Sequence, residues 1–135
     1  MLVVWTQTIN NNITSRERLD IGLLSVEISD LLVKQTGQPT NWETGDEIYT
    51  LGLAEEDHIL DMNKVDEFVN LDYEDAKDLL GVGTYEFYFT LVNASSGATI
   101  KTGGMYPINS DVIINSRRVV SINSAPFFID VFVWR

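Results

Sequence analysis

The hydrophobic period of this chain changes from one end to the other, and that change limits the folds open to it. In the first quarter Ile9, Ile13, Ile21, Leu24, Ile28, Leu31 and Leu32 recur at helical spacing. In the C-terminal half Tyr85, Phe87, Phe89 and Leu91 alternate with Thr84, Glu86, Tyr88 and Thr90, the period of a half-buried strand. The early spacing predicts one helix over residues 2–35, with Gly22 its only weak point and Thr36-Gly37 and Pro39 its stop. At 1.5 Å per residue that helix is roughly 45–50 Å long, so its N-terminal end is expected to project. A helical stripe and a period-two face must cover each other. Ile21, Leu24, Ile28, Leu31 and Leu32 are therefore expected to pack on the sheet.

Between the two periods the pattern is irregular. Residues 37–61 carry Gly-Pro, Thr-Gly-Asp and Leu-Gly-Leu punctuation, with Ile48 to Leu51 as a candidate short strand. Two short helices follow, Met62 to Asn70 behind an Asp61 cap and Tyr73 to Leu80 behind an Asp72 cap. Gly81 and Gly83 end the second. The sheet is expected to hold Thr84 to Leu91, a short strand near Thr99 to Lys101, Arg117 to Ile122, and Phe127 to Trp134. Gly103-Gly104 opens a loop expected to run to about Ser116. The expected class is α+β: a long N-terminal helix packed on a mostly antiparallel C-terminal sheet of about four strands. One domain is expected over residues 1–135, with the helix at 1–36, the middle at 37–83 and the sheet at 84–135.

Charge is concentrated in the middle. From Glu43 to Asp78 there are 13 acids against Lys64 and Lys77, a balance of −11. The other 7 acids and 7 bases cancel, so this segment holds the whole net charge of −11. Such a field repels phosphate backbones, and a nucleic acid partner is not expected. Helix caps and first turns account for many of the acids. There is no cysteine, which removes disulfides and thiolate chemistry. No apolar run approaches the ~20 residues of a membrane span. The opening Leu2-Val3-Val4-Trp5 reads either as the tail of a longer apolar helix or as a natural start packed on the domain.

A series of short words in the middle is similar to archaeal type IV pilins and pilin-like proteins. They are Leu31-Leu32-Val33-Lys34, Gly37-Gln38-Pro39-Thr40-Asn41-Trp42, Leu51-Gly52-Leu53-Ala54, and Asn63-Lys64-Val65 with Phe68. Tyr73-Glu74-Asp75-Ala76-Lys77-Asp78-Leu79-Leu80-Gly81 and Tyr85-Glu86-Phe87 continue the series. The likeness covers roughly residues 28–90, and more loosely the arginine-led final strand ending in tryptophan. It implies a pilin-like head, a class III signal peptide and a membrane-spanning N-terminal segment, the last two lacking from this sequence. It implies a structural subunit of a surface filament, extracellular and membrane-anchored before assembly, whose partners are like or related subunits met through the N-terminal helix. By itself this chain is expected to be monomeric. The alternative is a cell-surface binding or adhesion module, singly anchored and not polymerised.

No catalytic constellation, cofactor motif or metal site is expected, and the chain is not expected to be an enzyme. The single histidine, His58, has no nucleophile motif or second histidine beside it. Asp57, Asp61, Asn63 and Asp66 suggest calcium ligands, but the sixth and twelfth positions counted from Asp61 are Asp66 and Asp72, not glycine and glutamate. Two sequons occur, Asn12-Ile13-Thr14 and Asn93-Ala94-Ser95. Asn93 lies in an expected hairpin turn and Asn12 on the expected helix. Trp5 and Trp134 are candidates for membrane-interface or subunit contacts, whereas Trp42 is expected to pin its loop to the core.

Overall fold

The computed structural model describes residues 4–9, 15–45 and 47–135, with the backbone alone for residues 4–9 and 15. The first described residues are not helical. Val4–Ile9 is a strand, β1, antiparallel to a later strand from Val4 opposite Arg117 to Ile9 opposite Val112. The helix, α1, covers Ser15–Lys34, 20 residues or about 30 Å. This corrects the single helix expected over residues 2–35 and the projection that went with it. The physical reason lies in Val4, Thr6, Thr8 and Ile9, β-branched residues that favour an extended backbone once a sheet edge is available. Of the apolar positions that suggested the longer helix, Ile9 lies in β1 and Ile13 lies outside the described residues.

After α1 come a 3₁₀ turn at Trp42–Thr44, the short strands β2 (Ala54–Glu56) and β3 (Ile59–Leu60), and helices α2 (Met62–Asn70) and α3 (Tyr73–Leu80). Both helices begin where their caps predict. Asp61 accepts a hydrogen bond from the Asn63 N–H, and Asp72 from the Asp75 N–H. Gly81, at φ 69°, ends α3 in the left-handed conformation that glycine adopts without a Cβ clash. Residues 48–51, expected as a strand, contribute only an isolated bridge between Thr50 and Gln38.

Strands β4 (Glu86–Asn93), β5 (Thr99–Gly104), β6 (Val112–Ile122) and β7 (Ala125–Trp134) complete the sheet. Its order is β2-β3-β6-β7-β4-β5, and β1 joins β6 beside β3. The expected sheet of about four mostly antiparallel strands behind one long helix is therefore overturned. Three short helices accompany a larger mixed sheet, in which β3 runs parallel to β6 at Ile59 and Ser121. A two-residue strand has too few side chains to display a period, which is why β3 does not show in the sequence. The loop expected up to Ser116 is also shorter, since β6 starts at Val112. Its pattern is interrupted by Asn115 and Ser116, both buried polar residues. β6 and β7 are joined by Asn123-Ser124, with φ 51° and 67°, the left-handed pair that a two-residue hairpin turn requires.

The helices share one face of the sheet. α1 crosses β6 and β7, where Ile21, Ile28 and Leu32 meet Ile114, Ile129, Val131 and Val133 in one core. α2 and α3 cover β4, with Phe68 against Phe87 and Phe89 and Tyr73 stacked on Phe87. Leu24 and Leu31 are half-buried at the edge of this core. No helix among the described residues is long and apolar enough to cross a membrane.

Candidate functional site

The separated words of the middle segment meet in space at the C-terminal end of α1. Gly37 leaves the helix at φ 89°, and a Cβ there would stand 2.3 Å from Trp42 Cδ1. The Trp42 ring is 1% exposed and its Nε1 donates to the Gly52 carbonyl at 2.8 Å. Gly52 itself presses on the helix end, where an added Cβ would lie 2.2 Å from the Gln35 carbonyl oxygen. Lys64 reaches in from α2 and donates to the carbonyls of Thr36 (2.5 Å) and Thr40 (2.6 Å). A lysine only 4% exposed thus satisfies orphan carbonyls just beyond a helix C-terminus, where a cation also suits the helix dipole. Leu53 N–H donates to Leu32 O and Ala54 N–H to Gln35 O, which closes the clasp.

A second polar cluster lies under α1. Gly22, Ser25 and Ser29 fall on one helical face, so the helix can approach β6 closely. Ser29 Oγ lies 3.0 Å from Ser116 Oγ, Arg118 Nε donates to Ser29 at 3.2 Å, and Arg118 also pairs with Asp30 at 2.7 Å. Only the apolar residues of this face are expected from the sequence to meet the sheet. The serines at i and i+4 between Ile21 and Leu32 were the available signal.

The sheet's other face, free of helices among the described residues, centres on Asp130. Arg117 donates to it through Nε (2.8 Å) and Nη2 (3.0 Å), Asn115 at 3.3 Å and Thr90 at 3.4 Å. The Arg117 guanidinium also stacks 4.4 Å above the Phe128 ring, and its hydrogen bonds to Asp130 raise its already high pKa. Beside it Tyr88 contacts Phe132 and Tyr106. Trp134 is buried, its Nε1 donating to the Met105 carbonyl at 3.0 Å. Trp5 lies in β1, where only the backbone is described.

His58 occupies the β2–β3 turn with φ 64°, a conformation that histidine adopts more readily than most side chains. Its ring contacts the Asp57 carboxylate, its N–H donates to Val33 O, and its carbonyl accepts from Ser121 N–H. Its backbone therefore ties the end of α1 to β6. Asp61 is spent on its cap and Asp66 on a 2.9 Å pair with Lys101. No group of three or more histidine or acidic side chains among the described residues is placed to hold a metal ion.

On the opposite side of α1 from the sheet, Leu19 is 62% and Leu23 53% exposed, one turn apart. Of the sequons, Asn12 lies outside the described residues and Asn93 ends β4 at its hairpin with β5. Comparison with models of protein families, with curated proteins and with solved structures found no match.

Proposed function

We propose that this chain is the exported head of a pilin-like structural subunit, one that joins a type IV pilus-like filament on the cell surface. The observation that carries the reading is the pair of exposed leucines, Leu19 and Leu23, on the N-terminal half of α1. A helix whose inner stripe already fills the core has no folding reason to hold two large apolar side chains outward on successive turns. Helical neighbours in a filament would bury them. The words on which the likeness to archaeal pilins rests, scattered over residues 31–65, form one packed unit in the clasp.

The start of α1 at Ser15 alters how assembly is drawn. A subunit contact through the helix uses its exposed outer stripe, and the strand β1 precedes that helix in the chain. The test is direct. Surface filaments are sheared from the cells that make this protein, and their subunits are identified by mass spectrometry. The chain is expected in the filament fraction, and substitution of Leu23 by glutamate is expected to deplete it there. Recovery from the surface but from no filament would replace this reading with the singly anchored binding module. Recovery only from the cytosol would end both.

A further inference from the structure

We propose that Asn93 is an N-glycosylation site, occupied through its side-chain nitrogen. The inference rests on the surface location proposed above, since glycan transfer meets the chain outside the cytoplasm. Asn93-Ala94-Ser95 is a sequon, and a sequon alone is common. The structure adds the geometry of the acceptor. Asn93 is the last residue of β4, half-exposed, and residues 95–100 after it are all exposed. Its Oδ1 accepts from the Ser95 N–H at 2.9 Å and the Ser96 N–H at 3.1 Å, an Asx turn. The carboxamide is thus held by its oxygen, and no described residue bonds its Nδ2 or the Ser95 hydroxyl.

The backbone around the turn is anchored without those two groups. Asn93 N–H donates to Ala98 O, Gly97 N–H to Asn93 O, and Ala94 N–H to Pro126 O. A bulky substituent on Nδ2 would leave from the tip of the β4–β5 hairpin, at one edge of the sheet, away from Leu19 and Leu23 on α1. In the transfer, Asn93 Nδ2 loses a proton to a base of the transferase and forms a bond to the anomeric carbon of a sugar. The bond from that carbon to a polyprenyl-linked phosphate breaks, and the phosphate leaves with the electron pair. The co-reactant is a polyprenyl-phosphate-linked oligosaccharide.

The experiment has two arms. In the first, the protein is recovered from its native cells and the tryptic peptide spanning residues 78–101 is weighed. An increment of a whole number of sugar residues is expected, lost in Ser95→Ala and kept in Ser95→Thr. Ser95 enters the Asx turn only through its backbone N–H, so Ser95→Ala is expected to melt at the wild-type temperature, which separates lost modification from lost folding. An unmodified peptide on surface-exposed protein overturns the proposal and leaves the surface reading intact. Recovery only from the cytosol overturns the surface reading instead. In that case the second arm decides: purified protein is incubated with transferase-containing membranes and a polyprenyl-phosphate-linked oligosaccharide. Transfer to Asn93 in the wild type but not in Ser95→Ala upholds the acceptor geometry, and no transfer overturns it.

Discussion

The two ends of α1 treat their apolar side chains differently. At its C-terminal end Leu32, Val33, Trp42, Leu51 and Leu53 are all within 1% of full burial, and the carbonyls beyond the helix are met by a buried lysine. In its N-terminal half the inward face is just as closed, with Ile21 fully buried, yet Leu19 and Leu23 stand in solvent. One end is committed to holding the chain together. The other holds apolar surface outside the core, and this difference separates residues that should govern stability from residues that, under the proposed function, should govern assembly.

The largest break in the comparison should come from Trp42. Substitution by alanine removes a fully buried ring, opens a cavity against Gly37 and leaves the Gly52 carbonyl without its donor. A loss of about 3–5 kcal/mol is expected in denaturant unfolding, as for other large-to-small core changes. A loss under about 1 kcal/mol would mean that the clasp is not a stability element. Lys64→Met comes next. It keeps the stem's volume but strands the Thr36 and Thr40 carbonyls, and about 2 kcal/mol is expected.

The clasp also shows where the sequence could and could not be read. Asp61, Asp72 and Gly81 act within a few residues of themselves, so both short helices were legible from capping chemistry. The words Gly37 to Trp42, Leu51 to Ala54 and Asn63 to Val65 were visible as words, but not as one object. The bonds that join them span 10 to 28 residues, from Trp42 to Gly52 and from Lys64 to Thr36, and no local period encodes such a contact. Asp130 is the same case, a lone acid in an apolar strand whose partners Asn115, Arg117 and Thr90 lie on the two strands beside it. The first residues misled for a different reason. The hydrophobicity of Leu2 to Trp5 suggests the end of an apolar helix, whereas the β-branching of Val4, Thr6, Thr8 and Ile9 is the stronger signal.

A third prediction concerns the covered face away from α1. Tyr73 of α3 donates to the Glu86 carboxylate and accepts from the Phe87 N–H at 3.2 Å. Burial first, and then the bond to Glu86, raise the phenol pKa well above its ordinary value of 10.0. The folded chain therefore binds this proton more tightly than the unfolded chain does. The resulting stabilisation is complete below the unfolded pKa of about 10 and is lost as pH rises toward the folded value. Tyr73→Phe should cost about 1 kcal/mol at neutral pH. It should also flatten the decline in stability above pH ~10, read from denaturant midpoints across an alkaline series. An unchanged alkaline decline would show that Tyr73 does not carry it.

The smallest effect on stability is expected where the effect on assembly is largest. The double substitution Leu19→Ser and Leu23→Ser touches neither the serine stripe under α1 nor the clasp, and both side chains are more than half exposed. Its unfolding free energy should stay within about 0.5 kcal/mol of the wild type, the usual range for surface positions. Serine lowers helix propensity slightly, so any residual change should be a small loss. The same protein should be depleted from sheared filaments in cells expressing it at wild-type levels. Because the fold is unchanged, depletion cannot be attributed to a missing head. If the variant enters filaments as freely as the wild type, the exposed leucines are ordinary surface and the two ends of α1 no longer differ in purpose. If it instead loses several kcal/mol, the N-terminal half of α1 belongs to the fold as firmly as the clasp does.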